Sequence, residues 1–279
     1  MVEPNRLLVT GGGGQVGRAF ARLAPQAVVL DRASLDVTDR GGVLECLQGY
    51  RPEVVVNAAV YSKVDDAEKD SAAAMAINAD AVANLANACD RIGALLVQIS
   101  TDYVFDGNKK EPYVEDDEPA PLSVYGRTKL AGEEEAKSVT HLIVRTSWVF
   151  GDGRNFVRTI RAAAAAKPSL DVVDDQWGRP TYAVDLARGL LDLIDRDARG
   201  IYHLSAGGEP TTWARLAETI VAFAGLQSTI NRVPTREQIA ARPTNSVLDC
   251  SKATALGVAL REWMEAVAEY LAEEAKELL

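Results

Sequence analysis

Cysteine is scarce and poorly spaced in this chain. Of 279 residues only Cys46, Cys89 and Cys250 are thiols, an odd number without a C-x-x-C pair. A disulfide framework and a zinc site are therefore not expected, no metal ligand is assigned, and a reducing cytoplasm is the expected compartment. Long apolar runs are also missing. Arg6 and Thr10-Gly11-Gly12 interrupt the only early hydrophobic stretch, so neither a signal peptide nor a membrane span is expected. Positive charge is in deficit: a formal net charge of −10 disfavours nonspecific binding to nucleic acid or to anionic membranes. An anionic substrate needs a local basic site. Much of the acid lies in runs such as Glu115-Asp116-Asp117-Glu118 and Glu133-Glu134-Glu135, which read as solvated surface. What remains is a 47% hydrophobic composition, enough for a full core, without internal repeats or low-complexity linkers.

The first apolar run, Leu7-Leu8-Val9, ends at Thr10 and enters Gly11-Gly12-Gly13-Gly14-Gln15-Val16-Gly17. Apolar residues then recur at helical spacing (Val16, Phe20, Leu23), so the context is strand, glycine turn, helix. Glycines at 11, 14 and 17 form a variant dinucleotide fingerprint. Such a turn brings backbone N–H groups and a helix N-terminus close to a pyrophosphate. A second strand, Ala27 to Leu30, ends at Asp31, where a carboxylate can accept from an adenine ribose. Arg32 beside it can hold a 2′-phosphate, so NADH and NADPH both remain open. At Asp36-Val37 the chain can turn back across the adenine.

A helix over about 42–49 precedes Glu53-Val54-Val55-Val56-Asn57, a β-branched run suited to a strand buried on both faces. Ala58-Ala59 then offer small side chains where a cofactor can pass. A long alanine-rich helix, about 71–91, leads to the strand Leu95 to Ile99 and to Ser100-Thr101-Asp102. Further elements are a strand over 141–145, a helix over 155–166, a strand over 170–173, a helix over 184–194, a short strand at 201–204, a helix capped by Thr211 or Thr212, and an amphipathic helix over 260–279. Alternating strands and helices predict an α/β fold: a Rossmann-like, doubly wound parallel sheet with a smaller C-terminal α/β substrate-binding part. Residues 1–150 are assigned mainly to dinucleotide binding, with 155–175 and 184–200 returning to that unit. Residues 176–279 are assigned mainly to substrate, interleaved with it. Asp31, Asn57, Ser100 and Thr101 all fall at carboxyl ends of strands, where ligands of such sheets sit.

Tyr125-Gly126-Arg127-Thr128-Lys129 places a phenol and an ammonium at i and i+4, on one helix face. A nearby ammonium favours the phenolate and is expected to lower the phenol's pKa, giving an acid able to protonate a developing alkoxide. Arg179, Arg242 and Asn155 are candidates for holding a substrate diphosphate. Lys63 reads as an exposed lysine.

Thr10-Gly11-x-x-Gly14-x-x-Gly17, Ser100-Thr101 and Tyr125-x-x-x-Lys129 together resemble the extended short-chain dehydrogenase/reductases. Within them, Val64-Asp65-x-Ala67-Glu68, Ser100 to Phe105, Arg145-Thr146-Ser147-Trp148-Val149, Asp175-Gln176-x-Gly178-x-Pro180-Thr181 and Arg242-Pro243-x-Asn245-Ser246 are most similar to the dTDP-4-dehydrorhamnose reductases. The resemblance implies NADPH- or NADH-dependent reduction of a 4-keto dTDP-sugar to dTDP-L-rhamnose. It implies Tyr125 as general acid, Lys129 as its tuner and a ribose ligand, and Thr101 as the hydroxyl on the substrate carbonyl. Cofactor contacts are implied for Gln15, Val16 and Val60, and sugar contacts for Ser62, Ser100, Asp102 and Trp148. Where some members of the family carry a metal-binding Glu, this chain has Ala19, so a metal-linked dimer is not expected; a monomer or homodimer is. Alternatives are another nucleotide-sugar ketoreductase or epimerase, and a noncatalytic regulatory subunit resembling the methionine adenosyltransferase beta subunit, to which Asn245 to Lys252 is similar.

Overall fold

The structure, a computed structural model, describes residues 6–236 and 238–277. Four strands of two-faced burial set the frame: β1 (Leu7–Thr10), β3 (Val54–Asn57), β4 (Leu95–Thr101) and β5 (His141–Thr146). With β2 (Val28–Leu30) and the strand Gly200–His203 they form one parallel sheet, in the order Gly200–His203, β5, β4, β3, β1, β2. The two-residue period of a strand splits each β-branched run between two cores. Leu7, Val9, Val54, Val56 and Val97 point to the layer containing Phe20 and Leu186. Leu8, Val55, Leu96 and Ile143 point to the layer containing Val43, Leu47 and Leu85.

The chain leaves β1 for β2 on one side and returns to β3 on the other. This reversal opens a crevice beyond the carboxyl ends of β1 and β3, the place where doubly wound sheets bind ligands. The glycine turn fills the end of β1 and feeds α1 (Gln15–Leu23). Gly11 has φ +71°, and a β-carbon on it would stand 2.5 Å from the Ala58 carbonyl carbon, so only glycine lets the turn approach the end of β3.

The helix Val124–Ala136 carries Tyr125 and Lys129 to the same rim. Ser123 caps it by accepting from Gly126 N (3.1 Å), and Glu68 accepts from Val124 N (2.7 Å). Its partner is not one uninterrupted helix. The stretch expected as helix over 71–91 is α-helical over Ser71–Met75, π-helical over Ala76–Asp80, and α-helical again over Ala81–Ile92. Within the π turn, Asn78 accepts from Tyr61 N (2.8 Å) and donates to Thr128 Oγ (3.0 Å). It thereby ties the crevice wall to the Val124–Ala136 helix. One extra residue in the turn aims a side chain that a regular helix would leave elsewhere.

The C-terminal part has a small sheet of its own. Its strand Ser169–Val173 pairs in parallel with Thr229–Val233, a strand the sequence pattern did not reveal. The helix Ala183–Asp195 lies against α1 and its Leu186 and Leu190 are in the core beneath the main sheet. The last helix starts at Trp263, and residues 278–279 lie outside the described residues.

Candidate functional site

A cavity of about 430 Å³ occupies the crevice, and one of about 310 Å³ adjoins it. They share Gly13, Gly14, Ala58, Ala59, Val60 and Ser62 as a common wall, and together make one elongated groove. At the centre lies the N-terminus of α1. Its cap, Gly14, offers no side-chain acceptor, and the first N–H groups of any helix have no partner within it. The Gln15 amide oxygen is buried in the same wall with no partner among the described residues. Free N–H donors at a positive helix end fit a pyrophosphate. Val16 lines the groove beside them, whereas Gly17 is packed inside the turn, where a β-carbon would meet Gly11 O at 2.4 Å.

The smaller cavity continues past Gly11, Asp36 and Val37, with Arg32, Leu35 and Ile77 as further walls. Asp31 is exposed beside the groove without lining it; its Oδ1 accepts from Ser34 N (2.9 Å) and Ser34 Oγ (2.8 Å), and these bonds hold its carboxyl below the usual range. Arg32 faces the groove in its place, loosely paired with Asp36 at 3.8 Å.

At the other end stand Ser100, Thr101, Asp102, Tyr125, Lys129 and Trp148. Lys129 Nζ donates to Ile99 O (2.6 Å). Burial pushes Lys129 down to about 8, with Glu133 partly offsetting the shift. Burial likewise pushes Tyr125 up to about 12, against the bonding of the Thr101 hydroxyl and with the charge of Asp102. The expectation that Lys129 lowers the phenol is thus reversed. The ammonium is turned to a carbonyl of β4, and desolvation dominates. Thr101 Oγ1 donates to Asp102 Oδ1 (3.0 Å) and accepts from Tyr103 N (3.2 Å). Asp102 is only 2% exposed.

Trp148 sits at φ +47°, a left-handed conformation that a bulky residue adopts only when its surroundings impose it. The indole stacks on Trp213 with centroids 3.6 Å apart and planes 8° apart. On its edge is Gly178, where a β-carbon would lie 2.5 Å from the indole. The ring is therefore clamped as a flat wall of the cavity.

Several expected ligands are committed elsewhere. Ser100 lines the cavity, but its hydroxyl donates to Glu133 (2.5 Å). Glu133, read from its acidic run as solvated, is wholly buried and holds Arg145 through both oxygens (2.7 and 3.0 Å). Asn155 caps the helix Phe156–Ala166 through Arg158 N (2.9 Å) and donates to Tyr270 Oη (2.8 Å). Arg179 donates to Gly208 O (2.9 Å) and Leu248 O (3.0 Å). Arg242 is held by Asp65 (2.9 Å). None of the last three lines either cavity, because each is taken by internal acceptors. Ser62 is exposed at the rim, and Lys63 is exposed and pairs with Asp66 at 3.6 Å. Sequence reasoning missed Arg18 and Arg154, two arginines that line the larger cavity. Arg18 donates to Gly13 O (2.7 Å), and its place directly after Gly17 was the available signal.

A doubly wound sheet with a glycine turn at its reversal, faced by Tyr-x-x-x-Lys and a Thr hydroxyl, is the architecture of the extended short-chain dehydrogenase/reductase class. More narrowly, the chain belongs to the family of the RmlD substrate binding domain, whose model matches residues 5–276. A dTDP-4-dehydrorhamnose reductase of Streptomyces griseus is 41% identical over 281 residues, covering 95% of this chain and 92% of the relative. Among solved structures, a dTDP-4-dehydrorhamnose reductase from Clostridium acetobutylicum superposes with a TM-score of 0.92 at 38% identity, over 96% of this chain and 99% of that one. Another from Bacillus anthracis, in complex with NADP, gives 0.91 at 36% identity, over 96% and 98%.

Proposed function

We propose that this protein is an NAD(P)H-dependent oxidoreductase that reduces the 4-keto group of dTDP-4-dehydro-6-deoxy-L-mannose (dTDP-4-dehydrorhamnose) to give dTDP-L-rhamnose, the last step in making that sugar donor. The observation that carries the reading is the meeting of Tyr125, Thr101 and the Trp148 indole in one cavity, continuous with the glycine-turn groove. Bound NAD(P)H supplies a hydride. The chain's own residues do the rest. Tyr125 gives its proton to the keto oxygen as negative charge grows there. Thr101 steadies the same oxygen by hydrogen bonding, at a site already shielded from water. Lys129, still mainly an ammonium at pH 7 with its pKa lowered by burial to about 8, and anchored on Ile99 O, donates to the nicotinamide ribose and favours the tyrosinate once the proton has left. Trp148 and Asp102 position the sugar.

Gly11, Gly14, Gln15 and Val16 hold the pyrophosphate, Asp36 and Val37 border the adenine, and Ala58, Ala59 and Val60 let the dinucleotide lie close to the end of β3. Arg32 in place of Asp31 at the adenosine end favours NADPH over NADH. Three unpaired thiols and the need for reduced nicotinamide support a cytoplasmic location. No helix among the described residues is long and apolar enough to cross a membrane.

The test is an assay of purified protein with the keto sugar and each nicotinamide, following nicotinamide oxidation and the product by NMR. Formation of dTDP-L-rhamnose is expected. No oxidation with either cofactor, alongside binding of methionine adenosyltransferase, would transfer the protein to the noncatalytic class.

A further inference from the structure

Asp102 is a buried carboxyl that the proposed proton transfer does not use. Its Oδ1 accepts the Thr101 hydrogen at 3.0 Å, and its Oδ2 is buried without a hydrogen-bond partner among the described residues. Ser246, whose hydroxyl is near enough to Asp102 to oppose its upward shift, gives its own hydrogen to Trp177 O (3.3 Å).

A hydroxyl has one hydrogen to give and two lone pairs with which to accept. On Thr101 one lone pair takes Tyr103 N–H and the hydrogen goes to Asp102. In that arrangement Thr101 has nothing to offer a keto oxygen. If Asp102 is neutral, its O–H can donate to Thr101 Oγ1 instead. Thr101 then accepts from Tyr103 and Asp102, which fills both lone pairs, and its hydrogen is released toward the substrate beside that of Tyr125.

Resting on the reductase reading, we propose that Asp102 is a positioning residue: neutral, it turns the Thr101 hydrogen toward the keto oxygen, and ionised, it takes that hydrogen back, so that one proton on Asp102 gates the reduction. Burial pushes the Asp102 carboxyl up to about 7, which puts the gate in the physiological range. The titratable groups around it leave it without a counter-charge. The Tyr103 and Tyr125 phenols are both pushed up, and Asp102's own charge contributes to that. Lys129, farther along the Tyr125 helix, is turned to Ile99 O, and Arg242, beyond Tyr103, is paired with Asp65.

The test is the pH profile of kcat/KM for wild type and Asp102→Asn. An amide donates to Thr101 at every pH. Wild-type kcat/KM should fall by about tenfold per pH unit above the Asp102 titration, whereas the variant should lose that slope whatever its absolute rate. The same slope in both proteins overturns the proposal. Because an amide can impair turnover outright, infrared spectra of the NADP⁺-bound protein without sugar are recorded from about pH 5.5 to about pH 8.5. A protonated-carboxyl band that fades over that range in wild type and is missing from the variant is expected. Its absence from wild type overturns the gate even if the reductase assay succeeds. A silent reductase assay with the band present removes the functional reading instead.

Discussion

Adding a single methyl group at Gly178 tests whether the Trp148 indole is a sugar platform or merely core. In Gly178→Ala the new carbon would stand 2.5, 2.7 and 2.8 Å from three indole atoms. Nonbonded carbons prefer about 3.5–4.0 Å, so the ring must retreat by about 1 Å. Retreat is obstructed. Trp213 already stacks at 3.6 Å, and the left-handed backbone at Trp148 leaves few rotamers that keep the ring in place. Overpacking of this kind costs about 1–3 kcal/mol. If the strain is relieved by displacing the indole into the cavity, that energy is taken from sugar binding. At 1.4 kcal/mol per decade it raises the sugar KM by about fivefold to about a hundredfold. The assay varies keto sugar at saturating NADPH, with cofactor Kd measured separately by fluorescence titration. A raised KM with an unchanged cofactor Kd is expected. An unchanged KM in a variant that merely melts earlier would refute the platform, leaving Trp148 as packing.

Other perturbations address the remaining parts. Tyr125→Phe should lower kcat by about 10²–10⁴, the ordinary worth of a general acid, and leave cofactor Kd nearly unchanged; near-normal turnover removes Tyr125 from the chemistry. Arg32→Ala should cut kcat/KM for NADPH by about tenfold, as for loss of one partly solvated charge-assisted bond, and barely alter NADH; equal losses for both nicotinamides contradict the assignment of the 2′-phosphate. Glu133→Gln leaves Arg145 buried with half its partner and should cost about 3–5 kcal/mol of stability, read as a shifted denaturant midpoint. His203 is buried with Nε2 unpartnered among the described residues and is pushed down to about 3 by burial and by the charge of Arg145. Its unfolded form therefore binds a proton first as pH falls, and about 1.4 kcal/mol of stability should be lost per pH unit between about 6.5 and 3. His203→Gln should flatten that slope, and an identical acid slope in the variant contradicts the cause.

Much of the site could be read from local pattern, because its elements are local. The Val54–Asn57 run announces a two-faced strand, the glycine spacing announces the turn, and Tyr125 with Lys129 share a face on one helix. What could not be read depends on partners far along the chain. Glu133 looks solvated in its acidic run until β5 brings Arg145 to it. Asn155 and Arg242 look available for phosphate until Tyr270 and Asp65 claim them. The alanine-rich stretch around Asn78 has unbroken helix propensity. Its π turn goes with bonds to Tyr61 and Thr128, which propensity does not record. The direction of the Tyr125 shift was missed for a related reason: spacing places a lysine near the phenol, but burial and the turn of Nζ toward Ile99 O decide the sign.

The most direct measurement of the central claim uses NADPH carrying deuterium at the transferable position of the nicotinamide. The protein is incubated with it and the keto sugar, and the product is examined by NMR. Deuterium retained at C4 of dTDP-L-rhamnose, one atom per nicotinamide oxidised, is the predicted result. A product without deuterium at C4, or an interconverted sugar with no net nicotinamide oxidation, contradicts it.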